Sequence, residues 1–281
     1  MDSLVFAAVL FAAACHAGWN AAIKRGLDPL ATTVSIAIGS GVVAIPLLLI
    51  TGLPVAAAWP WVIASVLIHL FYFAGLIESY RAGDMGQVYP IARGSAPLLT
   101  AAGTALLIGE HTAPVAWLGI VLLAGGVILL SLRGGRDLAQ LDRRAVGFAL
   151  FTAVTICAYS LVDGIGARTA GNAHAYTAAM FLGNGIIMTA YALVRRGAGA
   201  LASMMPHWRI GLIGGALSYV AYAIVIWAMT VAPIAIVAAL RETSVLFGAL
   251  IAVVVLREPL RAVRIVAAVA IVIGLALIRL H

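Results

Sequence analysis

The sequence predicts an all-α membrane protein of ten transmembrane helices, built as two inverted five-helix repeats. Three observations carry this. Apolar residues make up 64% of the 281-residue chain and charged residues only 10%, against about 45–50% and about 25% in soluble domains. Runs of roughly 20 apolar residues, the length that crosses a bilayer, follow one another almost without linkers, and mean hydropathy is +1.12. The third observation is internal: residues 89–110 reappear, shifted by 148 positions, as residues 237–258.

The spans fall at 4–23, 30–50, 59–80, 86–108, 113–132, 145–167, 174–194, 209–230, 233–256 and 260–280. Helix breakers and charges separate them, for example Gly26 with Pro29, Gly52 with Pro54, Arg195-Arg196-Gly197 and Pro233. The longest polar connection, 134–144, divides a first repeat (1–133) from a second (145–281). The 148-residue shift lays Arg93 on Arg241, Leu98 on Leu246, Glu110 on Glu258 and Gly126 on Gly274. At the start of each half a shift of 140 lays Trp19 on Tyr159 and Asn20 on Ser160. The difference of eight puts extra chain in the second half, near 195–208. Five is an odd number of spans, so the second copy enters the membrane from the opposite side. Duplication of an odd unit therefore makes an inverted repeat, an architecture of many secondary transporters.

The net charge of +7 elsewhere suggests nucleic acid. Here most Lys and Arg sit at span ends, so they act as topology signals. Their distribution favours both termini outside and the 134–144 connection inside. No nucleic-acid partner is expected; the lipid bilayer is. Cys15 and Cys157 lie singly in apolar runs and read as small core residues. The first span lacks a positive leader and has an internal counterpart, so it reads as a retained helix. Glycine groups such as Gly39-Ser40-Gly41, Gly183 with Gly185, and Gly211 with Gly214-Gly215 read as points of close helix contact, with a hinge as the sharper alternative.

Function is sought among polar groups at membrane depth, where ionisable side chains are expensive. His16, Trp19 and Asn20 share a face of the first span by their i, i+3, i+4 spacing. His69 and Tyr72 share one in the third, Tyr219 and Tyr222 one in the eighth, and Tyr159 with Ser160 marks the sixth. Each has a plain packing reading beside a cavity-lining one. Asp163 reads as a solvated group near a boundary. Arg93 and Arg241, the latter followed by Glu242 and Ser244, lie too deep for ordinary end charges. They are snorkelling charges, structural ion pairs with Glu78, Asp84 or Glu242, or holders of a substrate carboxylate. Their recurrence in both halves favours a structural or gating role. Glu110 and Glu258 read as caps for the helix that follows each.

These residues carry a resemblance. ARGSAPLLTA in one half and LRETSVLFGALIAVVVLREPL in the other resemble the EamA family of the drug/metabolite transporter superfamily. Within it the chain is similar to the YddG-type aromatic amino-acid exporters. The resemblance implies a multi-pass protein of a bacterial-type inner (plasma) membrane, with helices around a central cavity and two halves rocking to give alternating access. Its substrate is then a small molecule. The candidate aromatics Trp19, Tyr72, Tyr159, Tyr219 and Tyr222 favour an aromatic amino acid, whereas a sugar phosphate would want more deep cations. His69, Asn20 and Ser244 would orient the amino-acid backbone, with His16 nearby. Proton coupling through His69, Glu78 or Asp163 stays open beside facilitated diffusion. A monomer is the expected assembly. No cofactor, metal or catalytic residue is expected: the histidines are scattered without carboxylates in their own spans, and no nucleotide-binding glycine loop occurs. An intramembrane enzyme or a channel is the competing class.

Overall fold

Helix ends follow the punctuation of the sequence closely. The computed structural model describes residues 1–23, 29–82, 85–131, 142–197, 199–254 and 262–280. In order these hold α1 (Ser3–Ile23), α2 (Pro29–Thr51), α3 (Trp59–Ala82), α4 (Met85–Gly103), α5 (Pro114–Ser131), α6 (Arg143–Thr169), α7 (Ala173–Arg196), α8 (Gly199–Met204), α9 (Trp208–Val231), α10 (Ile234–Arg241), α11 (Ser244–Val254) and α12 (Ala262–Arg279). Among the described residues, eight helical stretches are long and apolar enough to cross a bilayer; two shorter ones, Ser3–Gly18 and Pro114–Leu130, stand where the first and fifth spans were expected. The chain is a multi-pass α-helical membrane protein. Large apolar side chains are exposed along the helices, Leu49, Leu106 and Val194 more than four-fifths so, as a lipid-facing surface requires.

Three elements differ from expectation. The helix after the long connection begins at Arg143, inside the stretch read as loop, because the Asp142 carboxylate accepts the Arg144 N–H at 2.9 Å and caps it. The rest of that connection lies outside the described residues, as do Asp84 and Glu258. The extra chain near 195–208 forms the short α8 and a 3-10 turn, Met205–His207. The ninth span is two helices rather than one.

That break is local chemistry. After Arg241 the backbone tightens to i−3 hydrogen bonds: Glu242 N–H to Ala239, Thr243 N–H to Leu240 and Val245 N–H to Glu242. The Thr243 hydroxyl donates to the Leu240 carbonyl at 2.7 Å, so a side chain satisfies an acceptor that the continuing helix would have used. Broken backbone at this depth is tolerated where protein buries it, and residues 241–244 are all buried.

Glycines set the helix contacts. A Cβ on Gly274 would stand 2.6 Å from the Gly119 carbonyl oxygen, and one on Gly41 would stand 3.3 Å from the Gly185 Cα. Only a missing side chain lets α12 meet α5, and α2 meet α7, this closely. The contacts also exchange in pairs. Gly126 faces Ala267 and Ile271, while Gly274 faces Gly119 and Leu123, and the partners are 148 positions apart. Gly41 faces Phe181 and Gly185, while Gly185 faces Ala37 and Gly41, with partners 144 apart. Between larger helices the same pairing recurs: α1 packs on α9, and α3 on α6.

Candidate functional site

The interior is polar where α3, α4, α6, α9 and the α10/α11 break converge. At the break, Glu242 is 1% exposed and its carboxylate lies between two arginines. One oxygen is 2.6 Å from Arg93 Nε and the other 3.4 Å from Arg241 Nη2. Arg93 Nη2 also donates to the Ser244 hydroxyl at 3.3 Å. Arg93 is eight residues along α4, about 12 Å in by helical rise. A charge at that depth needs a partner, and both arginines share one.

Aromatic rings surround this ion set. Arg241 lies 5.4 Å from the centre of the Tyr159 ring and 5.7 Å from that of Tyr222, and Arg93 lies 5.7 Å from that of Tyr89. In such cation–π contacts the negative ring faces attract the buried guanidinium groups. Arg241 Nη2 further donates to the Tyr159 hydroxyl at 3.2 Å. The His69 ring stacks on Tyr159 with centroids 4.3 Å apart, and meets Tyr72 and Tyr222 edge-on at 6.3 and 5.9 Å. Its orientation is fixed from its own helix, since Nδ1–H donates to the Ser65 carbonyl at 2.9 Å.

The fourth formal charge is Asp163, and here the sequence reading is corrected. It is no solvated boundary group; it is 0% exposed. On α6 it lies one turn from Tyr159, so both face the same interior. Its two oxygens accept the hydroxyls of Tyr176, at 2.9 Å, and Tyr222. Tyr176 reaches it because Gly166 leaves room: a Cβ there would stand 2.7 Å from Tyr176 Cζ and from Trp61 Cβ. No arginine or lysine forms an ion pair with Asp163 among the described residues.

Of the residues singled out from sequence, His69, Tyr72, Tyr159, Tyr222, Ser244, Arg93, Arg241 and Glu242 come together. His16 lies on α1 and is half-buried. Tyr219 sits one turn behind Tyr222, against Phe181 with centroids 5.1 Å apart. The side chains of Trp19 and Asn20 lie outside the described residues. Glu78 is placed elsewhere: it pairs with Arg195 at 3.7 Å, near the ends of α3 and α7, with both groups partly exposed.

Glu110 is a second correction. It does not cap the helix that follows it. Its Oε2 accepts the N–H of Ile234, the first residue of α10, at 2.9 Å, and its Oε1 pairs with Arg168 Nη1 at 2.6 Å. Arg168 also donates to the carbonyls of Met229, at 2.8 Å, and Ala232, at 3.1 Å. One end of the bundle is thereby tied across α6, α9, α10 and the chain after α4. The carboxylate satisfies an orphan helix N–H, as caps do, but it comes from the other half of the sequence.

Comparison with known proteins adds the following. No curated protein matches the chain. A solved crystal structure of a protein superposes with a TM-score of 0.73 at 17% identity, covering 99% of this chain and 96% of that one, which is a likeness of fold alone. Residues 143–280 match the EamA-like transporter family. The second half of the chain is thus similar to the EamA-like transporter family.

Proposed function

We propose that the protein is a secondary transporter that exports small amphipathic metabolites, with amino acids, aromatic ones first, as its substrates. The observation that carries this reading is the buried ion–aromatic cluster built from both halves. Arg93 comes from the first, Arg241 and Glu242 from the second, and the rings of His69, Tyr72, Tyr159 and Tyr222 pack together beside them. Guanidinium donors suit a carboxylate, and tyrosine and histidine rings suit an aromatic side chain.

The architecture in this reading has ten spans in two inverted repeats, 1–133 and 145–281, around a central cavity in a bacterial-type inner membrane. The exchanging contacts of Gly126 with Gly274 and of Gly41 with Gly185 support it, since contacts that swap partners are the mark of a two-fold interface. Alternating access follows by rocking one repeat on the other, with the Glu110–Arg168 tie closing one end and the α10/α11 break serving as the flexible joint. The charge distribution of the loops favours both termini, and therefore this tie, outside.

Proteoliposome transport of radiolabelled phenylalanine tests the proposal. Saturable, aromatic-preferring transport is the expected result. Absence of transport, or equal transport of every amino acid, overturns the aromatic reading, and transport of an unrelated metabolite or drug replaces it.

A further inference from the structure

Among the described residues, Asp163 is the one buried carboxylate of the cluster with no cation paired to it. Both its oxygens are held by tyrosine hydroxyls, from α7 and α9. Arg241 is 96% buried and has donors to spare: among the described residues its two hydrogen bonds both leave Nη2, and its Nε has no hydrogen-bond partner. A guanidinium has five N–H donors, and a buried one left unused is costly. The ring of Tyr222 stands between these two groups. Its face carries Arg241 and its hydroxyl binds Asp163.

Resting on the amino-acid reading above, we propose that Asp163 is the ammonium subsite and Arg241 the carboxylate subsite for one zwitterionic substrate. The Tyr222 hydroxyl occupies the position at Asp163 that the substrate ammonium takes. Binding turns Tyr222 away: the ammonium donates to Asp163 Oδ2 in its place, while Tyr176 keeps Oδ1. The substrate carboxylate then accepts from the unused donors of Arg241. Tyr222 is thus both the ring between the subsites and the group the substrate displaces, and His69 and Tyr159 remain for the side chain.

Formal charge decides the substrate class. Arg93 and Arg241 balance Glu242 and Asp163, so the sum is zero. A zwitterion leaves it at zero. A bare anion or amine would leave a net charge away from water, where it is strongly disfavoured. The site is therefore selective for a molecule carrying both groups, not merely for an aromatic ring.

The test measures binding of three probes to purified protein by calorimetry: L-phenylalanine, phenethylamine (no carboxylate) and 3-phenylpropionate (no ammonium). Wild type is expected to bind phenylalanine most tightly. Asp163→Asn is expected to weaken phenylalanine and phenethylamine by roughly ten- to a hundredfold, the range for a hydrogen bond to a charged group, and to leave 3-phenylpropionate within about threefold. Tyr222→Phe keeps the ring and removes the competing hydroxyl, so it is expected to tighten both amines; a purely structural tyrosine would weaken them. Equal effects of Asp163→Asn on all three probes, or amine binding weakened by Tyr222→Phe, overturn the ammonium subsite. Wild-type protein that binds none of the three overturns the amino-acid reading itself, and the subsites with it.

Discussion

Replacing Glu242 by glutamine isolates the energetics of the buried ion set. The side chain keeps its size and loses its charge, leaving Arg93 and Arg241 facing each other across a neutral amide. Both are at most 5% exposed and both ion-pair with this carboxylate. Removing one partner of a buried pair costs about 3–5 kcal/mol, because the remaining charge stays desolvated. Two arginines lose their counter-charge here, so the upper part of that range applies. Denaturant unfolding of detergent-solubilised protein measures it. Adding Arg93→Gln in the same chain removes one of the stranded charges and is expected to restore more than half of the loss. Glu78→Gln, at a partly exposed pair, should cost less than about 1 kcal/mol. A Glu242→Gln protein within about 1 kcal/mol of wild type, or losses that simply add in the double variant, would refute a shared counter-ion.

Four further outcomes follow from other parts of the molecule. With Cys15 and Cys157 replaced by alanine, a cysteine introduced at buried position 234 should react with a soluble maleimide at least about tenfold faster in an Arg168→Gln background, because Arg168 and Glu110 tie that helix start; an unchanged rate refutes the tie. Gly274→Val drives a side chain into the Gly119 carbonyl and should destabilise by about 1–3 kcal/mol or more in the same unfolding assay. Gly125→Ala, where a Cβ meets nothing within 4 Å, should be neutral or stabilising by up to about 1 kcal/mol. His69→Phe retains the stack on Tyr159 and should keep most phenylalanine transport, whereas His69→Ala should lose it; the reverse order would remove the ring from the proposed binding surface.

Spans were readable in the sequence because each is a contiguous apolar run, and the depth of Arg93 and Arg241 because residue count along a helix measures distance. What the arginines touch was not. Arg93 and Glu242 are 149 positions apart, and only helix packing brings them together. Asp163 was misjudged for the same reason: its tyrosines lie on α7 and α9, so nothing near it in sequence advertises burial. Glu110 was assigned to the nearest helix start, whereas it caps one 124 positions on. The break after Arg241 did leave a trace, the polar run Glu242-Thr243-Ser244 inside an apolar span, which favours turns and side-chain capping over continuous helix. Tyr176 left none, since a tyrosine near a span end reads as part of an interfacial belt.

The glycine contacts between α5 and α12, and between α2 and α7, bear on how the molecule could move. In the proposed rocking of two inverted repeats, a contact that maps onto itself when partners exchange does not favour motion in one direction over the other, because each repeat would present the same backbone to its mate. Gly126 against Ala267 and Gly274 against Gly119 are then neutral bearings. Any preference for one resting pose must come from side chains without a counterpart in the other half. Glu242 opposite Gly94 is one such pair, so in that proposal the tilt of the resting equilibrium is set by a few unmatched positions that can change without disturbing the pivot.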